Sequence, residues 1–447
     1  MGSAIPVNVL GIMELLEKSG HEAYLVGGCV RDLLLEREPS DFDITTDALP
    51  GEVERIFSSV RTIDYGRKHG TIAIILDGRP YEVTTYRVDG AYTDNRRPDS
   101  VTFTPDVEKD VQRRDLTVNA LLMDRNGEIT DYVGGIDDLT DGVIRTVGDA
   151  ETRFREDALR VIRAIRFEAQ LGFDTDEKTE TAIHKCRWLL RNIAVERIRD
   201  EFDKILVADD AAKVLDKYRD VFAVFIPELA DGFDFDQQNP FHCYDVYEHE
   251  LHAVDAIPLR VPLRLAALLH DVGKPECFIV KNGWGHFYGH EKRSAEIAET
   301  ILRELKYDNR TVDDVTFLIK NHGTVFNPTE KYARKKLGQM GERRLRMLIE
   351  LERADVSSQA REVRIERRQM IDEFRRCVDK VVEEKQCFSK SELAIDGNDL
   401  IRVGFPQDAR LGKTLDFFLD AVTEGKISND RGEMLDIAER ILKKLDR

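Results

Sequence analysis

Leu25-Val26-Gly27-Gly28-Cys29-Val30-Arg31-Asp32 and, close behind it, Ser40-Asp41-Phe42-Asp43-Ile44 decide the fold. The apolar run Ala23 to Val26 reads as a short strand that meets two glycines. A helical pattern follows through Leu33-Leu34-Leu35. Glycines at a strand-to-helix turn let backbone N–H groups approach phosphates, with the helix N-terminus adding positive potential. Phe42-Asp43-Ile44 alternates apolar and acidic, which reads as strand. Side chains two apart on a strand share a face. Asp41 and Asp43 are therefore expected to project together, with Phe42 and Ile44 turned to the core. Two hard oxygen ligands so placed suit Mg²⁺, which takes one or two carboxylates plus substrate phosphates. Such a pair can hold two metals for in-line phosphoryl or nucleotidyl transfer. Alone, Asp-X-Asp is most often a solvated strand end and Gly-Gly a tight turn; together and in this order they carry more weight.

Thr71 to Leu76 and Tyr81 to Arg87 are further strand-like runs, joined by Asp77-Gly78-Arg79-Pro80. Asp-Gly between β-rich runs signals a hairpin. Glu82, on the second run, is either a third carboxylate for the acidic pair or an exposed hairpin residue. Asp89 to Pro105 is polar and reads as a loop. From about Glu151 the pattern turns helical, and Gly172 marks a stop. Asn282-Gly283 predicts a small hairpin inside the later helical region. Leu411 to Val422 and Leu435 to Leu445 fit amphipathic helices. The fold class expected is an α/β head followed by an all-α remainder. At 447 residues the chain exceeds the roughly 250–300 at which one core stops growing, so about two to four domains are expected.

Composition excludes several classes. Hydrophobic residues make up 42% and charged ones 34%, which rules out wholesale disorder. No apolar run approaches the ~18 residues of a spanning helix. Met1 to Gly20 lacks the pattern of a signal peptide, and six cysteines carry no CxxC pair. Reduced thiols in a cytoplasmic protein are expected. The 67 Lys+Arg against 85 Asp+Glu leave a net charge of −18. That balance weighs against non-specific binding to nucleic acid or anionic membrane.

Arginines nevertheless gather in motifs. Arg113-Arg114-Asp115-Leu116-Thr117-Val118-Asn119-Ala120 sets two guanidiniums before an apolar helix, and arginine suits bidentate phosphate contact. Glu156-Asp157-Ala158-Leu159-Arg160 continues to Arg163 and Arg166. Asp157 and Arg160, three apart, share a helix face; an ordinary ion pair is one reading. The other is base recognition. Asp accepts hydrogen bonds and Arg only donates them. Cytosine and adenine both present an amino donor beside a ring-nitrogen acceptor, so the pair selects C and A against G and U.

Taken in order, Leu25 to Asp32, Asp41/Asp43, Arg113 to Ala120, Asp131-Tyr132-Val133-Gly134-Gly135 and Glu156 to Arg160 resemble the bacterial-type (class II) tRNA nucleotidyltransferase/poly(A) polymerase family. The likeness covers about residues 20–205 closely. It implies a polymerase-β-like head over 1–140, a base-recognising helical neck over 141–205, a helical body over 206–375 and a tRNA-binding tail over 376–447. It implies template-independent addition of CCA to tRNA 3′ ends from CTP and ATP, with release of pyrophosphate. Asp41 and Asp43 would hold Mg²⁺, with Glu82 beside them. Gly27, Gly28, Arg31, Arg114, Asp157, Arg160, Arg163 and Arg166 are the expected nucleotide-binding residues, Asp157/Arg160 being the template for CTP and ATP. Tyr65 to Gly70 lacks the arginine-rich stretch of poly(A) polymerases. Asp94-Asn95-Arg96-Arg97-Pro98 resembles the flexible loop of full CCA-adding members, against an A-only or CC-only enzyme.

Seven of the ten histidines fall between 242 and 322. The order His249, His270-Asp271, Asp355 resembles the HD phosphohydrolase domain, which holds a divalent metal on two His and two Asp. His290 and His322 stand where two-metal members take further ligands, with His286 a rival for His290. His242 and His252 read as peripheral. Imidazole plus carboxylate suits Mn, Fe, Ni or Zn. A chain acting mainly as an HD phosphohydrolase on 2′,3′-cyclic phosphates is the different-class alternative. Basic runs at Lys331 to Lys336, Arg343 to Arg346 and Arg361 to Arg368, with those of the neck, suit contact with the tRNA backbone along its acceptor stem and elbow.

Overall fold

Alternating apolar residues build the first sheet. The structure, a computed structural model, describes residues 5–92, 95, 98–239, 243–359, 361–384 and 386–445. Asp94, Arg96 and Arg97 of the expected flexible loop, and His242, lie outside the described residues. The chain divides into two compact units, residues 1–230 and 231–447.

The first unit begins with an α/β portion. Its strands are β1 (Ala23–Val26), β2 (Asp43–Thr46), β3 (Arg61–Gly66), β4 (Thr71–Leu76), β5 (Arg79–Thr85), β6 (Arg87–Asp89), β7 (Val101–Phe103), β8 (Leu122–Met123) and β9 (Ile129–Thr130). Seven form one sheet in the order β3-β4-β5-β2-β1-β8-β9. Leu25, Ile44, Ile72, Ile74 and Val83 are fully buried in it. The β4–β5 hairpin turns at Asp77-Gly78, both at positive φ as a tight hairpin turn requires. Asp89 to Pro105, expected as a loop, instead contributes to the paired strands β6 and β7.

Register positions the acids. β1 runs antiparallel to β2 with Val26 opposite Asp43. β2 runs parallel to β5 with Ile44 opposite Val83, which brings Glu82 alongside Asp43. Strand β2 begins at Asp43, so Asp41 precedes it rather than lying on it. Phe42 is half-buried, less sunk than the alternation predicts, while Ile44 is fully buried.

The rest of the first unit is helical apart from a short parallel pair, Val143–Ile144 with Asp174–Thr175. Asp149 caps the helix Ala150–Glu156 by accepting from the Thr152 N–H. The helix Leu159–Leu171 stops at Gly172 (φ 71°) and packs on the helix Val195–Leu206. Residues 206–230, expected in the body, belong to this unit. Phe202, Phe222 and Phe225 hold them there, with ring centroids 5.6–5.9 Å apart.

Among its described residues the second unit is helical apart from one hairpin, β10 (Ile279–Lys281) and β11 (Trp284–His286). Helices Val246–Ala256, Val261–Leu269, His290–Glu304, Asn309–Asn321 and Glu342–Ser357 pack around one core. The helices Gly397–Val403, Ala409–Thr423 and Arg431–Leu445 share a second cluster around Leu400, Phe405, Phe418 and Met434. Among the described residues no helix is long and apolar enough to cross a membrane. All six cysteines are free thiols.

Candidate functional site

In the head, three sequence-distant residues meet at one point. Gly27 sits at φ 83°, ψ −140°, a conformation L side chains rarely adopt. A Cβ there would lie 3.8 Å from Arg114 Nη1 and 3.9 Å from Asp43 Oδ2. Glycine therefore does two things here. It permits the turn, and it leaves space beside a carboxylate and a guanidinium.

Asp43 is open to solvent on one side yet crowded by protein on the others. That crowding, then repulsion from Asp41 and Glu82, pushes its carboxyl up to about 6, against the pull of Arg114. Glu82 is raised by partial burial and by Asp41. The carboxylates that raise Asp43 and Glu82 mark a region of negative potential that a cation would relieve. All the donors are carboxylate oxygens, the set a hard divalent ion prefers.

Arg114 is aimed by Asp110, which the sequence reading missed. Asp110 is fully buried and takes Arg113 Nη2 at 2.6 Å and Arg114 Nη2 at 3.2 Å on its two oxygens. Burial alone would raise this carboxyl; Arg114 and Arg113 outweigh it and hold it low. Arg31, expected at the nucleotide, is buried instead. It donates to Asn119 Oδ1 at 2.6 Å and to Asp32 Oδ1 at 2.7 Å, with its guanidinium beside Gly28.

The neck residues divide. Asp157 ends the helix Ala150–Glu156 and accepts from the Leu159 N–H at 3.1 Å. Arg160 donates to Glu156 Oε2 and to the Arg113 carbonyl, each at 2.8 Å. Glu156 and Arg113 thus hold the guanidinium one turn from Asp157. Asn95, the described residue of the expected loop, also fastens here. Its carbonyl accepts from the Ala158 N–H at 2.9 Å, and its amide donates to the Arg155 carbonyl at 2.6 Å.

Arg163 and Arg166 were expected at the nucleotide and are committed elsewhere. Arg163 grips Asp115 Oδ2 through Nε at 2.9 Å and Nη2 at 2.5 Å. Arg166 pairs with Glu201 at 2.8 Å. Arg31, Arg163 and Arg166 all face the Phe167 ring, 4.9, 5.6 and 4.0 Å from its centroid. Phe167 is the apolar plate that these three cations share.

In the second unit, six side chains converge. Ligand atoms of His249, His270 and Asp355 lie within 4.8 Å of one another, and so do those of Asp271, His290 and His322. Among the described residues these are the only such groups of three or more. Asp271 joins them. Its Oδ2 lies 3.3 Å from His249 Nε2 and 3.2 Å from His270 Nε2. Its Oδ1 lies 3.3 Å from His290 Nε2 and 3.4 Å from His322 Nε2.

Each imidazole is pre-set. His270 Nδ1 donates to the Ala267 carbonyl at 2.8 Å, His290 Nδ1 to Phe287 at 2.7 Å and His322 Nδ1 to Ile319 at 2.5 Å. His249 Nδ1 meets Ser358 Oγ at 2.8 Å. A proton on Nδ1 leaves the Nε2 lone pair free, and all four Nε2 atoms point inward. Asp271 Oδ1 is buried with no hydrogen-bond partner. Burial would raise Asp271, but His270, Lys274 and His249 reverse this and hold it well below the carboxylate range. Four imidazoles and two carboxylates converging here are a donor set that would hold divalent metal ions. His286 stacks on Tyr288 and lies outside both clusters, whereas His290 lies in one of them. His252 packs against Tyr244.

Comparison with known proteins places the chain. Residues 23–145 match the poly A polymerase head domain. Residues 172–233 match a probable RNA and SrmB-binding site of polymerase A, and 280–438 a putative tRNA nucleotidyltransferase domain 2. The chain is 35% identical over 445 residues to the CCA-adding enzyme of Lactobacillus helveticus, covering 98% of this chain and 97% of that one. The chain belongs to the CCA-adding enzyme family. It is a nucleotidyltransferase, and its family is metal-dependent. The Geobacillus thermodenitrificans member is 36% identical over 94% of each chain. The Bacillus stearothermophilus CCA-adding enzyme, solved in complex with CTP, superposes with TM-score 0.70 at 33% identity, covering 97% of this chain and 98% of that one. The Thermotoga maritima enzyme complexed with tRNA shares the fold, with TM-score 0.60 at 18% identity over 98% and 97% of the two chains.

Proposed function

We propose that this chain adds CCA to tRNA 3′ ends in the cytoplasm, taking CTP twice and then ATP, with Mg²⁺ at Asp41 and Asp43. The observation that carries this reading is the meeting of Gly27, Asp43 and Arg114. The Gly27 turn leaves room for a triphosphate, and Arg114, held by Asp110, binds its phosphates. Bound Mg²⁺ supplies Lewis acidity and charge neutralisation at the phosphoryl oxygens. The tRNA 3′-oxygen bonds to the α-phosphorus, the bond to the bridging oxygen breaks and pyrophosphate leaves. Glu82 supplements the acidic pair. Asp157 and Arg160 read the base, Asp157 accepting from the exocyclic amine and Arg160 donating to the ring nitrogen. For this Arg160 releases part of its hold on Glu156. The test is extension of a tRNA lacking CCA by purified protein with Mg²⁺, CTP and ATP. The expected product ends in CCA; no extension overturns the reading.

A second activity is supported by the four-histidine, two-aspartate centre. We assign it to hydrolysis of phosphoesters, 2′,3′-cyclic phosphates among them, with Mn, Fe, Ni or Zn as the metal. Such a metal supplies an activated water at neutral pH. Hydroxide adds to phosphorus, one bond to a ribose oxygen breaks, and that oxygen takes the remaining proton. Lys274, 2.6 Å from Asp271 Oδ2 and 2.9 Å from Gln237 Oε1, holds the Asp271 carboxylate in place. His270→Ala is expected to abolish hydrolysis and leave CCA addition in place.

A further inference from the structure

One side of the second centre is open, and an unusual surface stands there. The His290 side chain is 18% exposed, whereas the other five ligands are at 8% or less. Access is therefore past His290. The Phe287 carbonyl that anchors His290 ends the β10–β11 hairpin.

That hairpin has two dissimilar faces. Ile279 lies opposite His286, and Lys281 opposite Trp284, so these four side chains share one face. The other face carries Val280, 56% exposed, and Gly285, where the strand is held against the unit. A Cβ on Gly285 would lie 2.2 Å from the Gln237 carbonyl, and the Gly285 N–H donates to Gln238 at 2.8 Å. The first face is left to solvent. Trp284 is 50% exposed and Tyr288 65%. Tyr288 extends the row, stacking on His286 with centroids 5.3 Å apart and planes 6° from parallel. Trp284, His286 and Tyr288 thus form an exposed aromatic row, with Lys281 at one end and the His290 opening at the other.

We propose that this row is a stacking platform for single-stranded RNA, which delivers a 3′ end bearing a terminal phosphate to the metal centre. The proposal rests on the hydrolytic reading of that centre. Unpaired bases stack on aromatic side chains irrespective of sequence, and a lysine beside the row meets the backbone. An apolar protein partner would have no use for Lys281 or for a row that ends at metal ligands.

The test uses the full chain loaded with Mn²⁺. The chain has two tryptophans, so Trp188→Phe leaves Trp284 as sole reporter. A short RNA ending in a 2′,3′-cyclic phosphate is expected to quench its emission saturably. In W284A/Y288A the affinity for this RNA and kcat/KM for its hydrolysis should both fall about tenfold or more, the loss of a base stack. Metal content and CCA addition should be unchanged, which also shows the variant folded. Equal RNA affinity in W284A/Y288A overturns the platform but leaves the hydrolytic reading. RNA that quenches Trp284 yet keeps its 2′,3′-cyclic phosphate unopened overturns the hydrolytic reading, and delivery with it. A Trp284 that responds to no RNA marks a protein-docking face and overturns the proposal.

Discussion

At the scale of single residues, the head site depends on one acid more than on its neighbours. Asp43 is crowded against Asp41 and Glu82, so removing one carboxylate relieves repulsion rather than unfolding the sheet. Asp41→Ala should therefore abolish nucleotide addition while leaving the urea midpoint near that of the parent. The Arg163–Asp115 pair behaves oppositely. Arg163→Met leaves a largely buried carboxylate without its partner, a loss of about 1–3 kcal/mol of stability. Asp115 is burial-raised in principle, but Arg163 and Arg160 hold its folded value below the unfolded one. Its contribution is thus complete above the unfolded pKa and lost as pH falls through the acid range. In Arg163→Met this acid-side loss should shrink, seen as a flatter stability profile below about pH 4. The acids and Gly27 were legible because backbone period and glycine turns are local signals. Arg163 was not: its partner Asp115 is 48 residues away, and an arginine's type does not say which carboxylate it meets.

At the scale of elements, the turns were legible and the short strands were not. Asp77-Gly78 and Asn282-Gly283 declare their hairpins, because few residue pairs tolerate both positive φ values. β6 and β7 have three residues each, too few for a period-2 pattern among Arg87, Asp89 and Thr102. The order of histidines and aspartates along the chain exposed the cluster, yet only the start of the helix His290–Glu304 brings His290 rather than His286 into it. That helix is held close by Gly273. A Cβ there would lie 2.6 Å from the Ser294 N–H nitrogen and 3.0 Å from the Arg293 carbonyl carbon, both backbone atoms. Gly273 also donates to Ser294 Oγ at 2.9 Å. Gly273→Ala should push the helix outward and withdraw His290 from Asp271. Metal analysis of the purified variant should show the site on Asp271 Oδ1 lost while His249, His270 and Asp355 still bind.

At the scale of the whole molecule, the net charge of −18 no longer counts against an RNA partner. Many of its acids have local work, as the proposed metal donors Asp43, Asp271 and Asp355 or as the ion-pair partners of arginines at Asp110 and Asp115. tRNA affinity should still fall steeply with salt, about a thousandfold between 50 and 200 mM if some six phosphates are contacted; a flat response would contradict phosphate contact. The two compact units also predict separable stabilities. A ligand that binds only the folded state stabilises by mass action, by about 2.7 kcal/mol at a hundredfold excess over Kd. The four inward imidazoles and Asp271 lie wholly in the second unit, so Mn²⁺ or Ni²⁺ should raise one calorimetric transition and leave the other in place. In His270→Ala, which removes a fully buried ligand, that upward shift should vanish while CTP still raises the transition of the unit that holds Asp43 and Arg114. If both transitions moved together with metal in the parent chain, the units would unfold as one and the metal centre would support the nucleotidyltransferase head as well.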